Sequence, residues 1–187
     1  MLLAIDSSFY GYSALCHNGQ KQLFAFENQG SKSQGLIDDI QDAFTKHGIE
    51  PQDLTKLALN IGPGSFTGIR TALTFAKTLE ASLDLEIMTV NSFELLRHHH
   101  QVTGAIAFSA SNKNDNEFFV SLDDDYTNIE TNFFANEPGT AQVLEFPSDK
   151  SIAELIFDFV QNNATKNYKL EPYYLREPSL RKAKAKI

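Results

Sequence analysis

The beginning of the chain alternates short apolar runs with polar turns. Residues 2–5 form a continuous apolar run that ends at Asp6, a pattern typical of a central strand buried on both faces. Residues 12–17 and 22–27 also have strand character, and they flank Asn18-Gly19, a dipeptide that tolerates the positive φ angles of a tight hairpin turn. The pattern therefore predicts three antiparallel strands at the start of the fold.

Helical periodicity follows. Residues 34–47 carry apolar side chains at three- and four-residue spacing, and Gly48 is placed to end that helix. Residues 57–61 predict a short buried strand, which enters a glycine-rich loop at residues 62–68 and then a second helix. Residues 86–90 predict a further strand, with Ser92 expected to cap a short helix through residue 96. We expect a first domain to span residues 1–97.

The second half, residues 98–187, is predicted to be a smaller α/β domain. Residues 105–109 and 117–122 have strand character, and the polar residues between them predict a hairpin loop. Ser151 and Glu154 form a capping-box pattern that opens a helix over residues 152–160. The chain ends in a basic tail, residues 181–186, which we interpret as a solvated terminus.

Composition narrows the class of protein. The 187 residues are 42% hydrophobic and 21% charged, which is typical of a globular protein. The net charge of -8 opposes unaided binding to nucleic acid, so any RNA is expected to be held by a partner. The single cysteine, Cys16, indicates a reducing compartment, and the first apolar run is too short for a signal peptide or membrane span. We expect a cytoplasmic protein.

The glycine-rich loop is the first candidate for chemistry. Gly62 and Gly64 allow another group to approach the backbone closely. Ser65 lies at the start of the second helix, where the loop amides face the positive end of the helix dipole. Asp6 and Ser7, after the first strand, are similar to the first phosphate-contacting turn of actin-like ATPases. The loop lacks the lysine of a P-loop. These five residues are therefore a candidate anion or nucleotide loop, with a purely structural turn as the alternative.

The second helix carries a stripe of small residues. Gly68, Ala72 and Ala76 recur every four residues, so another helix can approach closely. That contact lies either inside the subunit or between subunits. For metal chemistry, the histidines never show the i, i+4 spacing of a helical zinc site, and we expect neither a metal site nor a cofactor of the chain's own.

Three segments together resemble the TsaB (YeaZ) family: Leu3-Ala4-Ile5-Asp6-Ser7-Ser8, Ile61 through Arg70 with the sequence IGPGSFTGIR, and Glu171-Pro172-Tyr173-Tyr174-Leu175-Arg176. The resemblance covers the first half well and the second half in patches. It implies an actin-like, ribonuclease-H-like (ASKHA) α/β fold, with a mixed five-stranded sheet and a reduced second α/β domain. Lys32-Ser33 and Asn112-Lys113-Asn114 depart from the family pattern.

The resemblance also implies a function. A TsaB-like protein is a non-catalytic subunit of the complex that transfers a threonylcarbamoyl group to adenosine 37 of tRNAs reading ANN codons. It pairs with a TsaD-like catalytic subunit, a TsaE-like ATPase joins, ATP and metal belong to those partners, and tRNA is met only through the complex. The expected partner contacts lie on the two helices: Ile37, Ile40, Gln41, Phe44, Gly68, Arg70, Ala72 and Ala76.

Three alternatives accompany this interpretation. A homodimer through the same helices would compete with the heterodimer. A small actin-like ATPase or kinase would use Asp6, Ser7 and the Gly62 loop, and ATP turnover by the isolated chain would favour it. A metallopeptidase-like protein is the weakest alternative, because no nucleophile and base pattern accompanies it.

Overall fold

The computed structural model describes residues 1–9, 11–29, 33, 35–110, 116–124, 131–162 and 169–176. Its first sheet has five strands: β1 (Leu2–Asp6), β2 (Gly11–His17), β3 (Gln22–Gln29), β4 (Lys56–Asn60) and β5 (Glu86–Val90). Their order is β3-β2-β1-β4-β5. The first three strands pair antiparallel, whereas β1, β4 and β5 run parallel. The prediction of a mixed five-stranded sheet is confirmed.

Helices cover both faces of this sheet, which explains why every residue of β1 is buried. On one face, α1 (Gly35–His47) and α2 (Phe66–Ser82) pack against the side chains of Leu3 and Leu57. On the other face, α3 (Ser92–His100) and α4 (Ile152–Asn162) pack against Leu2 and Ala58. The central part of the molecule is therefore a three-layer α/β/α arrangement.

A second sheet has the order β8-β7-β6-β9. Its strands are β6 (Ile106–Ser109), β7 (Phe118–Ser121), β8 (Asn132–Ala135) and β9 (Gln142–Val143). The sequence pattern predicted β6 and β7 but missed β8 and β9, which have four and two residues and too few alternations to give a signal. Phe93 of α3 packs with Phe108 and Phe119 and joins this sheet to the rest of the protein.

The expected boundary after residue 97 lies between the strands of the two sheets. Residues of the second half nevertheless pack on the first sheet. Helix α4 belongs to the second half, yet it lies on the first sheet, where the amide of Ala153 donates to Ser13 Oγ at 3.0 Å. The amide of Tyr173 likewise donates to the carbonyl of Ile61 at 2.8 Å. Residues 111–115 of the expected hairpin loop, and the basic tail, lie outside the described residues.

The helix ends follow local sequence, with one correction. Ser65 caps α2, and the Ser151 and Glu154 capping box opens α4 as predicted. The prediction that Ser92 caps α3 is wrong, because Asn91 accepts from the amide of Glu94 and forms the capping box itself. Helix α3 also continues to His100 instead of ending near residue 96. Within the described part of the chain, every helix is too short or too polar to span a bilayer.

Candidate functional site

The turn after β1 is bonded to the end of β4. Asp6 accepts hydrogen bonds from the amide of Ser8 at 3.0 Å and from its hydroxyl at 2.5 Å. Asn60 Nδ2 donates to Ser8 Oγ at 2.8 Å and to Ser92 Oγ at 3.0 Å. All four side chains are buried. The carboxyl ends of β1 and β4 are thus joined by a closed polar network that includes the first residue of α3.

The glycine-rich loop is tied into the same network. The amide of Gly62 donates to Asn60 Oδ1 at 2.9 Å, and the amide of Ser65 donates to the carbonyl of Ser8 at 2.6 Å. Ser92 Oγ donates to the carbonyl of Pro63 at 2.8 Å, which is the role this serine has in place of a helix cap. The loop is therefore held from both sides by protein groups.

The glycines permit backbone to approach backbone. A Cβ atom on Gly64 would lie 2.5 Å from the carbonyl oxygen of Ser8, and one on Gly68 would lie 1.5 Å from that of Ser7. At Gly62, where φ is +108°, a Cβ would lie 2.8 Å from the carbonyl oxygen of Tyr173. Close packing of the chain on itself thus accounts for these glycines, as the structural-turn alternative requires.

The predicted anion-loop residues are brought together, but their polar groups have partners within the chain. Ser7 Oγ donates to the carbonyl of Gly68 at 2.6 Å, and Ser65 Oγ accepts from the amide of Gly68 at 3.2 Å. Asp6 is held by Ser8, as described above. Anion binding at Asp6, Ser7, Gly62, Gly64 and Ser65 stays a prediction, and it would require these bonds to be exchanged for ligand contacts.

Asp6 is an unusual carboxylate. Burial raises the pKa of Asp6 from 3.8 to about 6, although the hydrogen bonds from Ser8 and Asn60 act to lower it. The salt bridges found among the described residues do not involve Asp6. A buried carboxylate without a cationic partner is costly when it is ionised.

A cleft of about 400 Å³ adjoins Asp6. Its walls come from β1, β2 and β3 of the first sheet, from the end of β6, and from the segment that joins β9 to α4. Among the described residues, the charged side chains that line it are Asp6, Glu27, Glu145 and Lys150. Lys150 Nζ lies 2.7 Å from a carboxylate oxygen of Asp158, so its charge is already compensated. The cleft is therefore acidic.

Most of the predicted partner contacts are not on the surface. Five residues are buried in the core between the sheet and its two covering helices: Ile40, Phe44, Gly68, Ala72 and Ala76. The small-residue stripe of α2 is therefore packed inside the subunit, so these side chains are not available to a partner in this structure. Ile37, which is 38% exposed, and Gln41 and Arg70 remain on the surface.

The surroundings of Arg70 were not predicted from the sequence. Its guanidinium carbon lies 3.8 Å from the centre of the Phe66 ring, and its Nε donates to Tyr174 Oη at 2.9 Å. The Phe66 and Tyr174 rings stack with centroids 4.8 Å apart. The i, i+4 spacing of Phe66 and Arg70 on α2 signals that pair, but nothing local to Tyr174 indicates that it joins them.

The sequence is similar to those of known proteins. The family model described as TsaD, tRNA N6-adenosine threonylcarbamoyltransferase, matches residues 31–157. The tRNA threonylcarbamoyladenosine biosynthesis protein TsaB of Bacillus subtilis is 54% identical over 97 residues, which are 51% of this chain and 42% of that protein. The TsaB of Escherichia coli is 30% identical over 92 residues, 49% of this chain and 40% of that protein. The aligned region thus covers about two fifths of the length of these two relatives.

Two solved structures share the fold. YeaZ from Pseudomonas aeruginosa superposes with a TM-score of 0.52 at 21% identity, over 64% of this chain and 57% of that one. An uncharacterized protein with similarity to peptidase YEAZ from Pseudomonas aeruginosa superposes with a TM-score of 0.61 at 16% identity, over 94% of this chain and 99% of that one. The predicted actin-like α/β fold is confirmed.

Proposed function

The chain belongs to the family of the threonylcarbamoyltransferase TsaD and, within it, to the TsaB (YeaZ) proteins; from that premise we propose that it is a non-catalytic subunit of a tRNA threonylcarbamoyl transferase complex. In this role it binds and activates a TsaD-like catalytic subunit and helps to recruit a TsaE-like ATPase. ATP and metal belong to those partners. The transferred group goes to adenosine 37 of tRNAs that read ANN codons, in the cytoplasm.

The observation that carries the proposal is the closed polar network at the carboxyl ends of β1 and β4. In a phosphoryl-transfer enzyme of this fold class, the corresponding turns would face phosphate. Here the Ser65 amide is bonded to the Ser8 carbonyl, and Ser7 Oγ is bonded to the Gly68 carbonyl. Phosphoryl transfer depends on groups that are positioned for the nucleotide and its metal. Groups that hold the fold together are poorly suited to that task.

The docking surface that we propose is the outward side of α1 and α2. These helices lie side by side on one face of the first sheet, and Ser33 Oγ, just before α1, lies 3.3 Å from Thr71 Oγ1 of α2. Ile37 and Gln41 are exposed on α1, and Arg70 is exposed on α2. The Arg70 guanidinium packs on the Phe66 ring and donates to Tyr174 Oη, and an arginine held by aromatic neighbours is a favourable anchor for an interface.

Charge supports an indirect contact with tRNA. The chain carries 24 acidic against 16 basic residues. Binding to a phosphate backbone requires clustered cations. The substrate RNA is therefore held by the partners.

The test is reconstitution with the TsaD-like protein of the same organism. Ile37→Asp places a charge in the proposed interface and is expected to weaken the heterodimer at least about tenfold in calorimetry. Val143→Asp is the matched control, since Val143 is 48% exposed on the second sheet. The control is expected to bind normally. Equal affinity of both variants for the TsaD-like protein would show that the interface does not include Ile37.

The same preparation separates a subunit from an enzyme. Modified tRNA is expected only when the partners are present, and the isolated chain is expected to be inactive towards ATP. Steady-state ATP turnover that disappears in Asp6→Asn would establish the ATPase alternative instead. Loss of the homodimer in Ile37→Asp, measured by light scattering without the partner, would show that self-association uses the same helices.

A further inference from the structure

The cleft next to Asp6 has a chemistry that does not suit a nucleotide. Of its charged lining residues, Asp6, Glu27 and Glu145 are acidic, and Lys150 is paired with Asp158. A nucleotide polyphosphate that entered without its own metal would meet repulsion from three carboxylates. The volume of the cleft, about 400 Å³, lies within the range of small-molecule sites, roughly 300–1,000 Å³.

The apolar part of the lining is aromatic. Phe9 packs against Phe108 with ring centroids 5.7 Å apart and against Phe146 at 4.7 Å, and the three rings contribute to one wall. The Tyr12 ring belongs to the lining as well, while its hydroxyl is directed to Asp39 at 2.8 Å. Aromatic faces attract organic cations, with a gain of about 0.5–2 kcal/mol per contact. Rings next to carboxylates thus favour a ligand that is both cationic and partly apolar.

Among the described residues, the carboxylates of the cleft form no salt bridge. In the ranges that the structure describes, neither Glu27 nor Glu145 takes part in a salt bridge, and Asp6 lies 1% exposed with only neutral donors around it. An ionised carboxylate so deeply buried is stabilised by any cation that reaches it. Asp6 is among the residues that line the cleft, so a cation bound there would lie near this carboxylate.

From this combination of shape, rings and charge, we propose that the cleft binds an organic cation, an ammonium or guanidinium group on an apolar stem, between the aromatic wall and the carboxylates of Asp6, Glu27 and Glu145. A hydrated divalent metal ion is a poorer fit, because it prefers oxygen ligands alone and gains little from an aromatic wall. The site goes beyond the proposed docking function, since its lining does not include Ile37, Gln41 or Arg70 of the proposed docking surface.

The probe is agmatine, which carries a guanidinium and an ammonium group, titrated into the full chain by isothermal titration calorimetry. Agmatine is expected to bind, and a double variant, Glu27→Gln with Glu145→Gln, is expected to weaken it about tenfold. Glu80→Gln, an exposed carboxylate on α2, is the control and keeps the affinity. Absence of agmatine binding, equal affinity in the double variant, or tighter binding of MgATP than of agmatine would each overturn the proposal.

Two further measurements sharpen the test. Binding is expected to weaken as the pH falls from 7.5 to 5, because Asp6, whose pKa is about 6, becomes neutral. The other ionisable groups that line the cleft are Tyr12, Glu27, Glu145 and Lys150. Pre-titration unfolding curves of each variant establish that the chain is folded.

A blocked arginine, Nα-acetyl-arginine methylamide, identifies the source of the cation. Affinity equal to that of agmatine indicates a side chain of a partner protein, and a clear preference for agmatine indicates a free diamine. Either result upholds the cation site. Failure of both probes contradicts it, while leaving the subunit proposal intact.

Discussion

Gly68→Ala is the most direct perturbation of the junction between the β1 turn and α2. A Cβ atom at this position would lie 1.5 Å from the carbonyl oxygen of Ser7, and the two atoms have to separate beyond 3.0 Å. The obstacle is backbone, so no side-chain rotation relieves it. The first turn of α2 must move away from β1 and carry its capping contacts with it.

The cost can be worked from the contacts that move. Overpacking of this kind costs about 2 kcal/mol. Displacement also breaks the cap from Ser65 Oγ to the Gly68 amide, at about 1 kcal/mol, and the buried bond from Ser7 Oγ to the Gly68 carbonyl, at about 1 kcal/mol. Alanine has a better helix propensity than glycine, which stabilises the folded chain by about 1 kcal/mol. We expect a net loss of about 3 kcal/mol in the free energy of unfolding.

Urea unfolding followed by circular dichroism measures this loss. The free energy of unfolding is expected to fall by about 2 kcal/mol per M urea. The urea midpoint of Gly68→Ala should therefore lie about 1.5 M below that of the wild type. Thr74→Ala is the matched control, because it adds the same alanine to α2 at an exposed position and should change stability by less than about 0.5 kcal/mol. A midpoint within about 0.5 M of the wild type for Gly68→Ala would refute the argument that this glycine is required by close backbone packing.

Two further predictions follow from buried ionisable groups. The folded chain raises the pKa of Asp6 from 3.8 to about 6, so the stability this carboxyl contributes is complete below pH 3.8 and is lost as the pH rises to about 6. Relative to the wild type, Asp6→Asn should therefore gain about 3 kcal/mol between pH 3.8 and pH 7 in urea unfolding; a pH-independent difference would contradict this. Burial raises the pKa of the Cys16 thiol from 9.0 to about 11. Its reaction with a disulfide reagent at pH 8 should be at least about a hundredfold slower in the folded chain than in urea, and equal rates would show that the thiol is accessible.

The candidate site shows where local patterns stop being informative. The glycine-rich loop was located from its sequence, and so were Asp6 and Ser7. What each glycine is close to was not predictable, because the carbonyl that Gly68 approaches belongs to a residue 61 positions earlier. The same holds for Asn60, which carried no signal in a short strand and yet joins Ser8 to Ser92.

The docking helices give a second example. The four-residue spacing of Gly68, Ala72 and Ala76 established that one side of α2 is narrow. Spacing cannot say whether the facing surface belongs to the same chain, since helix packing follows the same rules within and between subunits. The structure places that side against the core.

The sequence by itself determined the order and type of the main elements, the hairpin at Asn18-Gly19 and the caps at Gly48 and Ser151, because these depend on neighbours within a few residues. Only the tertiary structure decided that α4 covers the first sheet, that the polar side chains at the ends of β1 and β4 bond to one another, and that Arg70 packs on Phe66 and donates to Tyr174. Those features depend on groups far apart in the chain, and their positions follow from how the layers pack.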